Sequence, residues 1–168
     1  MGLLYMQEIE TPIGSIVAIA DDSYLYLSEF ADSSTLQLKF EFLETVMDSK
    51  IRIGTCQILE EFGAELRQYF KKELSKFSIP TKSFGTGFYK KVWNMLSEID
   101  YGKTISYKHL AHKCNSPKGF RAVAQANSKN FHSIVIPCHR VINANGKLGG
   151  YSGGLNRKKF LLELESGV

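Results

Sequence analysis

The sequence predicts an α+β protein in two parts, a small amino-terminal strand-and-helix domain at residues 1–80 and a mostly helical carboxy-terminal domain at 81–168 containing a helix-turn-helix and the active site. Three observations carry that reading. Runs of β-forming residues broken by turn formers lie near the start, apolar residues recur at helical spacing further on, and the charge changes sign close to residue 80. Up to residue 80 there are 7 Lys and Arg against 13 Asp and Glu, net −6, and from 81 onward 14 against 4, net +10. Such a split marks two modules, with the basic one facing a polyanion. The 168 residues, 43% hydrophobic and 23% charged, suffice for a real core and exclude disordered, collagenous and low-complexity classes. No apolar run reaches the roughly 18 residues of a membrane span, and the start lacks a basic region leading into a long apolar stretch. A soluble, unsecreted, cytoplasmic protein is expected, nuclear in a eukaryote. Three widely spaced cysteines, Cys56, Cys114 and Cys138, offer neither a disulfide framework nor a paired metal site and fit a reducing compartment.

In the first part, Ser15–Ala20 and Tyr24–Phe30 are rich in β-formers and flank Asp21-Asp22-Ser23, which reads as a hairpin. Ile58, Phe62, Leu66, Tyr69 and Phe70 then mark an amphipathic helix over about residues 55–75. Cys56 is a lone thiol in a half without histidine and is given a structural role. The boundary falls at Ser78-Ile79-Pro80-Thr81-Lys82. Beyond it Thr86 can cap a helix whose apolar positions are Phe88, Val92, Met95, Leu96 and Ile99, ended by Tyr101-Gly102. Ser106 caps a short helix from Tyr107 to about Lys113. Asn115 makes a turn, Ser116-Pro117 gives a cap followed by proline at the first helical position, and a second helix runs to about Asn127. Two short helices with a tight turn outline a helix-turn-helix, whose second helix would enter a nucleic-acid groove.

In that second helix Gly119, Ala122, Ala124 and Ala126 are small, while Lys118 and Arg121 supply cations suited to phosphate. Ala122 and Ala126 are expected to pack against a neighbour. Phe120 reads equally as core, as a wedge against bases, or as a steric cost to binding. After Asn127-Ser128-Lys129-Asn130 the run Ile134-Val135-Ile136 reads as a buried strand that delivers Cys138 to a turn within Pro137-Cys138-His139-Arg140-Val141. A nucleophilic cysteine reacts as thiolate, so it needs a base or cation nearby, and His139 and Arg140 are the immediate candidates. Adjacent side chains diverge, so a bridging water between His139 and Cys138 suits the geometry, with a carboxylate fixing the imidazole from its other nitrogen. Glu98, Asp100, Glu163 and Glu165 are the acids of the basic half.

The segments GTGFYKKVW, SYKHLA, PKGFRAV, IPCHRV and GGYSGGL, in this order and ending at Glu165, resemble the O6-alkylguanine-DNA alkyltransferases, also called methylated-DNA-protein-cysteine methyltransferases. About half the chain carries the likeness, with TPIGSI a looser match in the amino-terminal half. The resemblance implies DNA repair in which the alkyl group on guanine O6, and by extension on thymine O4, moves to a cysteine of the protein itself in one displacement. Cys138 is then the acceptor, His139 its water-linked base and Glu165 the residue that orients His139. Asn130 matches the asparagine joining the active-site strand to the helix-turn-helix, and Arg121 the arginine that replaces the extruded base in the stack. Tyr107 matches a hydrogen-bond donor to the flipped base, Ser152 the residue whose backbone N–H meets O6, and Tyr151 a wall of the same pocket beside Gly153. The carbonyls of Cys138 and Val141 would accept from the exocyclic amine, while Ser116 and Lys118 fall in the DNA-binding turn.

The chemistry of those residue types agrees with these roles. Guanine leaves only if donors stabilise charge appearing on its ring, which Tyr107 and backbone N–H groups can do without a metal. The alkylated carbon sits inside a stacked duplex, so the nucleotide must be flipped. No cofactor is expected, and no zinc, since residues 1–80 hold one Cys and no His. The expected partner of this monomer is double-stranded DNA carrying O6-alkylguanine, with no membrane. A thioether is not a leaving group at neutral pH, so the protein should act once. Tyr89, Ala124, Phe131 and Ser133 depart from the family pattern of Gln, Gly, Pro and, in some relatives, Pro, and bear on the size of alkyl group accepted. Two rivals remain: a lesion-binding alkyltransferase-like protein without transfer, in which the acceptor cysteine is replaced, and a cysteine hydrolase, whose Cys and His are ordinarily far apart in sequence.

Overall fold

The β-forming runs near the start pair into one sheet, and the helical periodicity beyond residue 80 folds around a separate core. A computed structural model describes residues 2–167 and divides between Lys82 and Ser83 into two units. The fold is mixed α+β.

In the first unit β1 (Leu3–Ile9), β2 (Ile16–Ala20), β3 (Leu25–Phe30) and β4 (Lys50–Ile53) form a sheet in the order β3-β2-β1-β4. β2 is antiparallel to both neighbours, with Val17 opposite Glu8 of β1 and Ala18 opposite Ser28 of β3. The hairpin read from the sequence is β2–β3, turned by Asp21, whose Oδ1 accepts from the amides of Ser23 and Tyr24 at 2.7 and 2.9 Å. β4 joins β1 in parallel, Leu4 opposite Ile51, which requires a crossover, and α1 (Leu36–Val46) lies in that connection. β1, α1 and β4 lie outside the sequence-based reading. Every residue of β2 and β3 is buried, Ser28 and Glu29 of β3 included, whereas β1 and the edge strand β4 keep exposed polar residues. α2 (Gln57–Phe70) buries Ile58, Phe62, Leu66 and Tyr69 as expected, but stops short of residue 75 because Lys72 takes a φ of 62°.

In the second unit α3 (Gly87–Ser97) starts at Thr86, whose hydroxyl accepts from the Tyr89 amide at 3.1 Å, and ends before Tyr101-Gly102. β5 (Ile105–Ser106) leads into α4 (Tyr107–Lys113), capped by Ser106 through the His109 amide at 3.0 Å. α5 (Phe120–Ser128) begins later than Ser116-Pro117. The Gly119 amide instead closes a turn onto the Ser116 carbonyl at 2.8 Å, with Pro117 at the second turn position, where its fixed φ is equally at home. A 3₁₀ turn, Cys138–Arg140, runs into β6 (Val141–Ile142), parallel to β5, and α6 (Leu155–Ser166) closes the unit. Val92, Trp93, Leu96, Leu110, Val123 and Ala126 make the core with Cys138 and Val141. The Trp93 indole N–H donates to the Ala126 carbonyl at 2.9 Å, tying α3 to α5.

Candidate active site

The approach to Cys138 is a tight turn rather than the expected strand. Ile134 has φ 73°, a left-handed backbone that a β-branched residue adopts only under constraint, and no ladder partner reaches Ile134–Ile136 among the described residues. Asn130 supplies the constraint. Its Nδ2 donates to the carbonyls of Ile136 at 2.8 Å and His132 at 3.3 Å, and its Oδ1 accepts from the His132 amide at 2.9 Å. One side chain just beyond α5 thus fixes the segment two residues before Cys138.

Cys138 is 2% exposed and sits at the start of the 3₁₀ turn. The next residue, His139, is fully buried and shares a hydrogen bond between its Nε2 and Glu165 Oε1 at 2.8 Å. Nδ1, on the other side of the ring, makes no hydrogen bond among the described residues. Arg140 turns toward Glu165 instead of the thiol: Nε donates to Oε2 at 2.9 Å, Nη2 to Oε1 at 2.8 Å, and Nη1 to the Ile99 carbonyl at 2.6 Å. Burial pulls His139 below its ordinary pKa of 6.5, although Glu165 pulls the other way. Burial alone would raise the Glu165 carboxyl, but the hydrogen bonds and charges of His139 and Arg140 outweigh it and bring it to about 2. With the imidazole neutral, the lasting cation beside Glu165 is Arg140. The result is a neutral base whose Nε2 is held on a permanent carboxylate, which fixes the proton on Nε2 and leaves Nδ1 as the acceptor.

Lys158 is the residue that sequence reasoning missed. It is 0% exposed on α6, and its Nζ donates to the carbonyls of Val141 at 2.6 Å, Leu148 at 2.5 Å and Gly150 at 2.9 Å. Burial pulls its pKa down to about 8, against an upward pull from Cys138. Arg157-Lys158-Lys159 looks like a solvated run, yet Lys158, Leu161 and Glu165 share one face at helical spacing and all are buried. Asn127 was likewise unassigned: its Nδ2 donates to the Cys138 carbonyl at 3.4 Å. The two carbonyls expected to meet an exocyclic amine, those of Cys138 and Val141, therefore already accept from donors of the protein itself, Asn127 and Lys158.

Tyr107, half-buried at the start of α4, donates to the Gly150 carbonyl at 3.3 Å and lies under Lys158 Nζ, 5.7 Å from the ring centre. Its pKa is raised by burial and then by charge on Cys138, so it remains a phenol and a donor. Gly149, with φ 70°, lies against this ring: a Cβ there would meet Asn143 Oδ1 at 2.8 Å and Tyr107 at 3.2 Å. Tyr151 packs on the core, and a turn closed by the Gly154 amide on the Tyr151 carbonyl at 3.0 Å presents Ser152 and Gly153 before α6. Lys158 joins Tyr107, the Gly150 carbonyl and Val141, the residue that follows the 138–140 turn. Ser116, Lys118 and Arg121 form a second group, on the turn before α5 and its first residues, with Lys118 and Arg121 exposed. Ala126 packs as expected; Ala122 is exposed instead, because Val123, Ala126 and Asn127 form the buried stripe of α5. Among the described residues no cluster of His, Cys, Asp and Glu is placed to hold a metal ion, and no helix is long and apolar enough to cross a membrane.

Residues 87–167 match the family model for the DNA-binding domain of 6-O-methylguanine DNA methyltransferase. A methylated-DNA–protein-cysteine methyltransferase of Methanosarcina acetivorans is 39% identical over 162 residues, 96% of this chain and 98% of that one. One from Mycobacterium leprae is 37% identical, covering 97% and 93%. Among solved structures, Mycobacterium tuberculosis OGT in complex with DNA superposes with a TM-score of 0.83 at 34% identity, over 99% of this chain and 94% of that one.

Proposed function

Because the chain belongs to the methylated-DNA–protein-cysteine methyltransferase family, we propose that it repairs O6-alkylguanine in duplex DNA by moving the alkyl group to its own Cys138. The observation that carries this reading is the buried His139–Glu165 contact, 2.8 Å long, beside a cysteine that is itself 2% exposed. His139 Nδ1 takes the thiol proton through one water. Cys138 Sγ bonds to the alkyl carbon as the carbon–O6 bond breaks, and its electron pair passes to the guanine ring. Tyr107, a phenol, donates a hydrogen bond to the ring as that charge develops; the displaced guanine anion, still in the DNA, takes up one proton from solvent and the protonated His139 returns one to solvent, so the protons balance. The Ser152 backbone N–H meets O6, and Tyr151 and Gly153 wall the pocket.

α4, the turn 114–119 and α5 act as a helix-turn-helix, with Ser116 and Lys118 on phosphate and Arg121 filling the space the flipped nucleotide vacates. Asn130 ties this element to the cysteine turn. The thioether product is stable, so each molecule acts once. Intact-protein mass spectrometry after incubation with a duplex containing one O6-methylguanine, followed by peptide mapping, tests the whole reading. One methyl per protein, confined to Cys138, is expected. A bound lesion duplex with no mass gain would make the protein a damage sensor and overturn the transfer.

A further inference from the structure

Phe120 is a large aromatic that neither the core nor the cysteine site uses. It is the first residue of α5, immediately before Arg121, and 52% of it is exposed. Apolar surface of that size gains when something covers it, and its surroundings specify what. From Tyr107 to Asn130 the chain carries Lys108, Lys113, Lys118, Arg121 and Lys129 and no acidic residue. Gly119 and the exposed Ala122 add little bulk on either side. A cationic surface with one protruding ring fits a polyanion whose interior is aromatic: phosphates answer the cations and stacked bases answer the ring. The backbone that carries the ring is held as well, because the Gly119 amide is bound to the Ser116 carbonyl at 2.8 Å and a Cβ at Gly119 would lie 2.3 Å from Ser116 Oγ.

Resting on the DNA-repair reading above, we propose that Phe120 is a wedge that stacks on the base step next to the one Arg121 enters. Neighbouring helical residues point about 100° apart, so the two side chains cannot fill the same step. Arg121 occupies the place of the flipped nucleotide while Phe120 holds the adjoining step open, a division of labour between a cation and an apolar ring.

The test compares wild type with Phe120→Ala, Phe120→Trp and Lys118→Ala on a duplex carrying one O6-methylguanine beside 2-aminopurine. Binding, the fluorescence of the unstacked 2-aminopurine, and the rate of methyl transfer relative to that with free O6-benzylguanine are followed across salt concentrations. Phe120→Ala is expected to bind about tenfold more weakly, to lose the fluorescence rise, and to lower the duplex-to-free-base rate ratio, while its salt dependence stays that of wild type because no phosphate contact is removed. Phe120→Trp should restore all three. Lys118→Ala should instead reduce the salt slope by about 1. Unchanged binding and fluorescence in Phe120→Ala, or tighter binding from removal of an obstruction, would overturn the wedge while methyl transfer by wild type leaves the repair reading standing. Absence of transfer by wild type would overturn that reading and the wedge with it.

Discussion

Arg140 meets Glu165 with two parallel donors, Nε on Oε2 at 2.9 Å and Nη2 on Oε1 at 2.8 Å, in the same buried space where Glu165 holds His139. The carboxylate is thus fixed before it fixes the imidazole. A bidentate guanidinium cannot be copied by lysine, whose ammonium is a point charge.

Removing Arg140 leaves a buried carboxylate without its cation and the Ile99 carbonyl without its donor. Arg140→Met is expected to lose about 3 kcal/mol of stability in urea unfolding and to slow alkyl transfer, with Arg140→Lys in between. Combined with Glu165→Gln, the losses should fall short of their sum, because both variants dismantle one network.

Acid should weaken the fold through two groups acting in the same direction. Glu165 has a lowered pKa when folded, so its contribution is complete above its ordinary value of 4.5 and is lost as the pH falls through about 2. His139 is held below 6.5 when folded, so the unfolded chain takes up its proton first and stability also falls as the pH drops below 6.5. Urea midpoints measured from pH 7 to pH 2 should decline, and Glu165→Gln should flatten the decline between 4.5 and 2.

Lys158 should show the opposite arm of the profile. Its pKa of about 8 when folded lies below the ordinary 10.5, so between those values the unfolded chain binds the extra proton and folding is favoured more as pH rises. Lys158→Met removes that rise. It also leaves the carbonyls of Val141, Leu148 and Gly150 short of a donor, an expected loss of about 2 kcal/mol at pH 7. Thermal unfolding of the two proteins from pH 7 to pH 10.5 reads both effects.

Two substitutions separate chemistry from DNA handling. Cys138→Ala should bind the lesion duplex as wild type does and gain no methyl by mass spectrometry. Arg121→Ala should react with free alkylguanine at the wild-type rate and with the duplex at least tenfold more slowly, since the flipped state loses what fills the stack. Equal losses in both Arg121 assays would sink its role in the stack.

The helices capped by hydroxyl residues were legible because the signal is local: Thr86 and Ser106 each announce a helix start, and both accept the expected amide. Ile134-Val135-Ile136 misled for the opposite reason. β-branched residues favour strands, but here Asn130 bends the segment into a turn, and a side-chain clamp leaves no mark on local propensity. The separation of β1 from β4 by α1 is likewise a long-range matter. Of the site, Cys138 and His139 stood out by residue type, and Glu165 was identified only through the family likeness. Lys158 escaped because lysine in a charged run reads as solvated, and only the fold turns it inward; Arg140 reads as a partner of the thiol, whereas the fold turns it onto Glu165.

The 2% exposure of Cys138 has a meaning for the working life of the molecule. A thiol that reacts a single time is lost as surely to a stray oxidant or a dissolved alkylating agent as to its proper target. On the proposed function, its place in the same core as Val92, Leu96, Ile136 and Val141 keeps such bystanders out, and a carbon that arrives on a base shaped to enter the pocket is the one that finds it. Shelter of the sulfur is then a form of storage: the molecule waits unreacted in a hostile solution until the duplex itself delivers the damage.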